Sequence, residues 1–257
     1  MQCHGSKETL AAPSKDGPIV LVGNPNVGKS VLFGLLTRRY VTVSNYPGTT
    51  VEVARGAASV DGLREVVIDT PGVNNLLAPG ECERVTRDIL MHERPSVVVL
   101  VADAKNLSRA LVLAAQLGEM EVPFVLALNM SDEAQERGID IDTGLLSDIL
   151  GVEVVSMVAT RGEGLDDLAR ALAGPPRLSR FTATYDEAIE QAVEQVVTLL
   201  PAGTRAPRSV AVMLLTNRKG AAALEGVPEE VAERAAAIRR DLRARYRQPL
   251  GYVHRYI

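Results

Sequence analysis

Eight consecutive residues, Gly23-Asn24-Pro25-Asn26-Val27-Gly28-Lys29-Ser30, match the pattern G-x-x-x-x-G-K-[ST]. Glycines at such positions let backbone N–H groups turn toward an anion, and the N-terminus of a following helix adds partial positive charge. In a loop of this kind the lysine reaches the β- and γ-phosphates of a nucleotide, and the hydroxyl residue binds Mg²⁺. Those residues are Lys29 and Ser30. Farther on, Asp69-Thr70-Pro71-Gly72 closes the apolar run "EVVID". A carboxylate there holds Mg²⁺, usually through water, and Gly72 offers a backbone N–H to the γ-phosphate. On its own D-x-x-G is a weak signal; after a phosphate loop it is a strong one. The next residue, where the best-known nucleotide switches use a glutamine to orient the attacking water, is Val73, which neither donates nor accepts a hydrogen bond.

Asn129-Met130-Ser131-Asp132 follows the apolar run "VPFVLAL". Asp132 can accept both N1–H and N2–H of guanine; adenine lacks that pair and would leave the carboxylate unsatisfied. Asn129 is expected to tie this loop to the phosphate loop. "MVAT", ending at Thr160, closes the last strand. There the Ala159 N–H is expected to meet guanine O6. Val158 stands where a small polar residue usually braces the loop, which predicts looser nucleotide binding or faster release. In "VSNYPGTTVEV", with its turn at Gly48, Thr49 and Thr50 both qualify as a further Mg²⁺ hydroxyl.

These loops need a scaffold that brings them together. "PIVLVG" (18–23) reads as a buried parallel strand, and "KSVLFGLLTRR" (29–39) as a helix. The polar stretch from Val41 leads into a strand over 51–60. Asp61-Gly62 marks a hairpin turn, and "LREVVIDT" returns beside it as an antiparallel neighbour. Strands at 96–104, 122–129 and 152–159 then alternate with helices at 106–120, 142–151 and 164–174. Such alternation predicts an α/β fold, a mostly parallel sheet with helices on both faces, with ligands at the carboxyl ends of its strands. The predicted organisation is a polar extension (1–17), a nucleotide-binding domain (18–174) and a small all-helical domain (175–257). The helices of the last fall at 185–200, 208–217 and 228–246, with Pro228 in the first turn of the last one.

Composition narrows the class further. Hydrophobic residues make up 46% of the 257, but aromatics only 4%, so the core is aliphatic. A net charge of -4 argues against nucleic acid as the main partner. From Pro175 onward, however, 13 Lys+Arg face 9 Asp+Glu, with the excess in "RRDLRARYRQ" (239–248). Two cysteines, Cys3 and Cys82, fit a reducing compartment without a disulfide framework, and the Cys3-His4 pair reads as part of a tail. No apolar run approaches the ~20 residues that cross a bilayer, and the N-terminus lacks a signal-peptide core, so a soluble, cytosolic chain is expected.

Together, "GNPNVGKS", "NYPGTTVE", "DAKNLSRALVLAAQLGEMEVPFVLALNMSDEA" and "ATRGEGLDDL" resemble the N-terminal G domain of FeoB, the bacterial ferrous-iron transporters. The resemblance implies a P-loop GTPase fold followed by a helical domain like a nucleotide-dissociation inhibitor. It implies GTP/GDP and Mg²⁺ as ligands, with Thr50 as the magnesium threonine. It also implies slow, K⁺-stimulated turnover in which Asn26 holds the K⁺ and takes over from the missing glutamine. The implied partners are a transmembrane permease region of the same protein, small cytosolic accessory proteins and further copies of the chain. The implied location is the cytoplasmic face of the bacterial inner membrane, where GTP hydrolysis regulates or drives Fe²⁺ uptake and the Arg-rich 239–248 stretch lies near headgroups. The chain departs from the family at Thr70 (usually Leu), Gly34 (Asn), Tyr46 (Trp) and Val158 (Ser). Two other readings remain at this stage: a soluble ribosome-associated GTPase, and a GTP-dependent switch with negligible turnover.

Overall fold

The computed structural model describes residues 17–37, 39–60, 62–181, 183–216 and 227–246. The Cys3-His4 pair and the last residues of the Arg-rich stretch lie outside this set.

Seven strands form one sheet: β1 (Ile19–Gly23), β2 (Arg39–Asn45), β3 (Glu52–Val60), β4 (Leu63–Asp69), β5 (Val97–Asp103), β6 (Phe124–Asn129) and β7 (Val154–Ser156). Their order is β2-β3-β4-β1-β5-β6-β7. β2, β3 and β4 are antiparallel neighbours; every other pairing is parallel. The parallel strands are apolar throughout because helices cover both faces: β1, β6 and all but the last residue of β5 are buried. The helices are α1 (Lys29–Thr37), α2 (Glu81–His92), α3 (Leu107–Glu119), α4 (Ser131–Glu136), α5 (Thr143–Leu150) and α6 (Leu165–Ala173). Two aliphatic clusters fill the sheet's two sides, one around Val20, Ile68, Leu100 and Leu126, the other around Leu21, Val67, Val99 and Ala127.

Three elements exceed what the sequence pattern predicts. The stretch read as a polar segment after α1 is the edge strand β2, whose Val41 and Val43 are 50% and 57% exposed. Its residues 41–45 are all exposed, so the short Val41-Thr42-Val43-Ser44 alternation marks an edge and not a core strand. After the Asp69–Gly72 motif, α2 opens at Glu81 with no helix expected there, and its Val85, Ile89 and Leu90 face the core. The six residues of α4 are too few to show a period.

The chain does not leave the sheet at Gly174. Arg177 O accepts from Phe124 N at 3.2 Å, and Leu150 O accepts from Arg180 N at 3.0 Å, so residues 177–180 run back along β6 and the end of α5. Then come α7 (Glu187–Val197), α8 (Pro207–Thr216) and a last helix, α9 (Glu229–Arg245). Pro228 is the residue before that helix rather than its first turn, with ψ 145°. These helices share an aliphatic cluster that also contains Leu77 and Ala115 from the sheet domain. Beside it the Tyr185 hydroxyl donates to the buried Glu119 carboxylate at 2.8 Å, and Arg208 spans Tyr185 and Glu190. Burial pushes the Glu119 carboxyl above the usual range, against the pull of Tyr185 and Arg208. Arg239, the first residue of the Arg-rich stretch, is 6% exposed and donates to Leu214 O at 3.0 Å. It holds α9 onto α8 and does not belong to a basic surface.

Candidate functional site

The motifs meet at the carboxyl ends of β1, β4, β6 and β7 because of strand order alone. β1 lies between β4 and β5, with Leu21 opposite Asp69 and Gly23 opposite Val101. Glycine is required where the loops touch. A Cβ on Gly28 (φ +85°) would lie 2.3 Å from Asn129 Nδ2, and one on Gly72 would lie 2.8 Å from Pro25 Cα.

Lys29 Nζ donates to Asp69 Oδ1 at 2.8 Å and to Thr70 O at 2.5 Å, and Ser30 Oγ donates to Asp69 Oδ2 at 2.9 Å. Lys29 and Asp69 are 8% and 9% exposed. The cation, the hydroxyl and the carboxylate predicted from two motifs therefore share one spot. Thr70 is buried and its hydroxyl donates to Leu21 O at 2.7 Å, holding the loop on β1; a leucine could not make that bond. Pro25 and Asn26 are exposed at the turn of the phosphate loop, Asn26 in the left-handed region (φ 63°), and Val27 is buried beneath it.

Val73 is fully buried in the main core cluster. Its N–H donates to Gly23 O at 3.0 Å and its carbonyl accepts from Asn24 Nδ2 at 3.1 Å. The position after Gly72 is thus an anchor of its loop, with its side chain turned into the core. Asn24, assigned no separate role from the sequence, makes this tie and a second one to Asn74 Oδ1 at 3.2 Å. Next, Leu76 N donates to Gln116 Oε1 at 2.7 Å, so α3 holds the same segment.

Of the two threonines, Thr49 is used locally: its hydroxyl donates to Tyr46 O at 2.9 Å and accepts from Val51 N at 3.2 Å. Thr50 points outward, and its hydroxyl meets Glu81 Oε2 at 3.4 Å. The structure does not bring Thr50 to Ser30 and Asp69; Glu81, at the start of α2, has no sequence signal for this contact. Gly48 (φ +71°) turns the chain in open space. Tyr46 packs on the main cluster; burial, with Asp88 and Glu93 nearby, pushes its hydroxyl above the ordinary value.

Asn129 joins its loop to the phosphate loop and also to the turn after β7. Its Nδ2 donates to Val27 O, and its Oδ1 accepts from Ala159 N, both at 2.9 Å. The second bond corrects the expectation for Ala159, whose N–H is committed to Asn129. In the same turn the Thr160 N–H has no acceptor among the described residues. Val158 is buried, and its backbone pairs with Glu163 at 3.1 and 3.2 Å, which braces the loop without a hydroxyl. Met130 takes a left-handed conformation (φ 60°), and its Sδ receives Lys105 Nζ at 3.3 Å. Ser131 Oγ donates to Met157 O at 2.9 Å. Asp132 faces Arg161, whose Nη2 donates to Oδ2. Desolvation raises the Asp132 carboxyl, but the Glu133 N–H and Arg161 outweigh it and hold it below the ordinary carboxylate range. Arg161 was legible only as part of "ATRGEG".

A phosphate loop between strand and helix, a D-x-x-G loop on the neighbouring strand and an N-x-x-D loop two strands away on one sheet define a P-loop GTPase fold. Residues 18–172 match the family model for Ferrous iron transport protein B, so the chain belongs to the FeoB family through its N-terminal G domain. It is 40% identical over 154 residues to the Fe(2+) transporter FeoB of Campylobacter jejuni, which covers 60% of this chain and 25% of that one. It is 35% identical over 212 residues to an Fe(2+) transport protein A/FeoB fusion protein of Porphyromonas gingivalis, covering 78% and 25%. The chain thus spans about a quarter of the length of these relatives. A GDP-bound S. thermophilus NFeoB mutant superposes with a TM-score of 0.79 at 30% identity, covering 93% and 94%. The cytosolic domain of L. pneumophila FeoB does so at 0.78 and 28%, covering 93% of each chain. Family membership sets aside the ribosome-associated reading. Among the described residues no helix is long and apolar enough to cross a membrane.

Proposed function

We propose that this chain binds GTP and hydrolyses it slowly to GDP and phosphate, as the G domain of a ferrous-iron transporter. The observation that carries the reading is the convergence of buried Lys29 and Asp69 with exposed Ser30 on one spot, with Asn129 joining that phosphate loop to the base loops. The backbone of residues 23–28 cradles the phosphates, Lys29 leaves Asp69 for the β- and γ-oxygens, and the Gly72 N–H meets the γ-phosphate. Asp132 reads N1–H and N2–H of guanine, and the Thr160 N–H takes O6 in place of Ala159.

The oxygen donors Ser30 Oγ and the Asp69 carboxylate fit Mg²⁺, and Thr50 joins them once it leaves Glu81. Bound there, the metal neutralises charge on the phosphate oxygens. The Asn26 carboxamide, an uncharged oxygen donor exposed on the loop, fits K⁺, which supplies positive charge beside the transferring phosphoryl group. With Val73 buried, backbone groups of residues 44–50 and Thr50 hold the water.

The relatives are named as Fe(2+) transporters, and Fe²⁺ uptake across the bacterial inner membrane is the process we assign to the full-length protein. A permease region in the same polypeptide is the first partner; accessory proteins and self-association come after it. GTP orders the 41–53 and 70–86 segments, of which 46–51 and 70–80 are loop here, and the helical part relays that change. Turnover measured in KCl and NaCl, for the wild type and Asn26→Ala, tests the chemistry. K⁺ activation of tenfold or so that Asn26→Ala abolishes is expected; equal rates in the two salts refute the K⁺ role. The burial of Val73 favours a second reading, a switch with negligible turnover, to which rates near zero in both salts would point.

A further inference from the structure

Asp132, the carboxylate assigned to guanine, is already paired inside the chain. Arg161 Nη2 donates to its Oδ2, although the two residues come from different loops. Asp132 lies in the first turn of α4, after β6, and Arg161 in the turn after β7. The second turn is held by its own backbone. Val158 and Glu163 exchange both N–H···O bonds, and Arg161 N donates to Val158 O at 3.0 Å. Gly162 and Gly164 both take positive φ, and a Cβ on Gly164 would lie 2.3 Å from Ser156 O. This hairpin presents Arg161 to Asp132. The guanidinium is 54% exposed and has a second acceptor beside it, Glu163 Oε1, 3.4 Å from Nε.

Guanine offers two parallel donors, and a carboxylate that receives both uses both of its oxygens. The Arg161 bond lies on one of them. The backbone of Asp132 is placed by the first turn of α4, which does not depend on Arg161. The cation sits on one of the two oxygens that a pair of base donors would share.

We propose that Arg161 is an internal competitor of the guanine base for Asp132: nucleotide entry moves it onto Glu163, and its return to Asp132 promotes release of the product nucleotide. The proposal rests on the assignment of Asp132 as the guanine-reading residue. A supporting role for Arg161, holding Asp132 in place for the base, would use the same contact with the opposite sign.

The test is binding and stopped-flow release of a fluorescent GDP by the whole 257-residue chain, as wild type, Arg161→Ala, Asp132→Ala and the double variant. Exposed ion pairs of this kind correspond to about two- to fivefold in an equilibrium constant. Arg161→Ala is expected to bind GDP tighter by that factor, through slower release, and to have no effect in the Asp132→Ala background. Glu163→Ala, which removes the alternative acceptor, is expected to move binding the other way. Arg161→Ala binding that is unchanged or weaker overturns the competition, as does tighter binding by Glu163→Ala. If instead Asp132→Ala keeps the wild-type preference for GDP over ADP, the assignment of Asp132 itself fails, and the two failures are told apart.

Discussion

Replacing Asn129 by alanine removes a side chain that joins the phosphate loop to the last base loop. Asn129 is 4% exposed, and its two hydrogen bonds, to Val27 O and from Ala159 N, are both 2.9 Å long. Neither backbone group has another partner among the described residues to fall back on. A buried group left unsatisfied costs about 1–3 kcal/mol, so losing both costs about 2–6 kcal/mol. In a chain of this size about 1 kcal/mol corresponds to roughly 2–4 °C in melting temperature. Asn129→Ala should therefore melt roughly 4–24 °C lower. The measurement is calorimetry without nucleotide, so that loss of ligand binding does not add to the shift. GDP affinity should fall in parallel, because Gly28, against which Asn129 Nδ2 packs, carries the phosphate loop into α1. A melting shift under about 2 °C would refute the reasoning, since the two bonds would then have no structural weight.

Two further outcomes follow from buried groups. Val73→Gln, although it restores the residue common in nucleotide switches, should lower stability by about 1–3 kcal/mol in urea unfolding and give no gain in GTP turnover, because the amide enters the core without a partner; faster turnover would show that the side chain reaches the phosphates after all. Glu119 has a folded pKa raised by burial, so its contribution is fully present below its unfolded value of about 4.3 and is lost as pH rises through the folded value. Relative to Glu119→Gln, wild-type melting should therefore decline between mildly acidic and neutral pH; parallel curves for the two proteins would contradict this.

The chemistry was legible in the sequence wherever it depends on backbone that a short segment arranges for itself. Gly23 to Ser30, Asp69 to Gly72 and Asn129 to Asp132 each announce a turn at the end of an apolar strand, and strand–helix alternation says that those ends lie together. The Asn129 tie to the phosphate loop followed from this. Other features depend on a neighbour far away in sequence, and no local pattern carries them. β2 is a strand because β3 offers it an edge, although its residues 41–45 are all exposed. Val73 turns inward because Gly23 and Asn24 hold its backbone. The Ala159 N–H is taken by Asn129, which comes from a different strand end. Arg239 is a buried brace because Leu214 O faces it, and Arg161 reaches Asp132 because β7 lies beside β6. Composition and spacing determine which groups the chain has and near which strand ends they lie. Only tertiary packing decides which donor meets which acceptor, because a hydrogen bond needs about 3 Å and a direction, and both are set by elements distant in sequence.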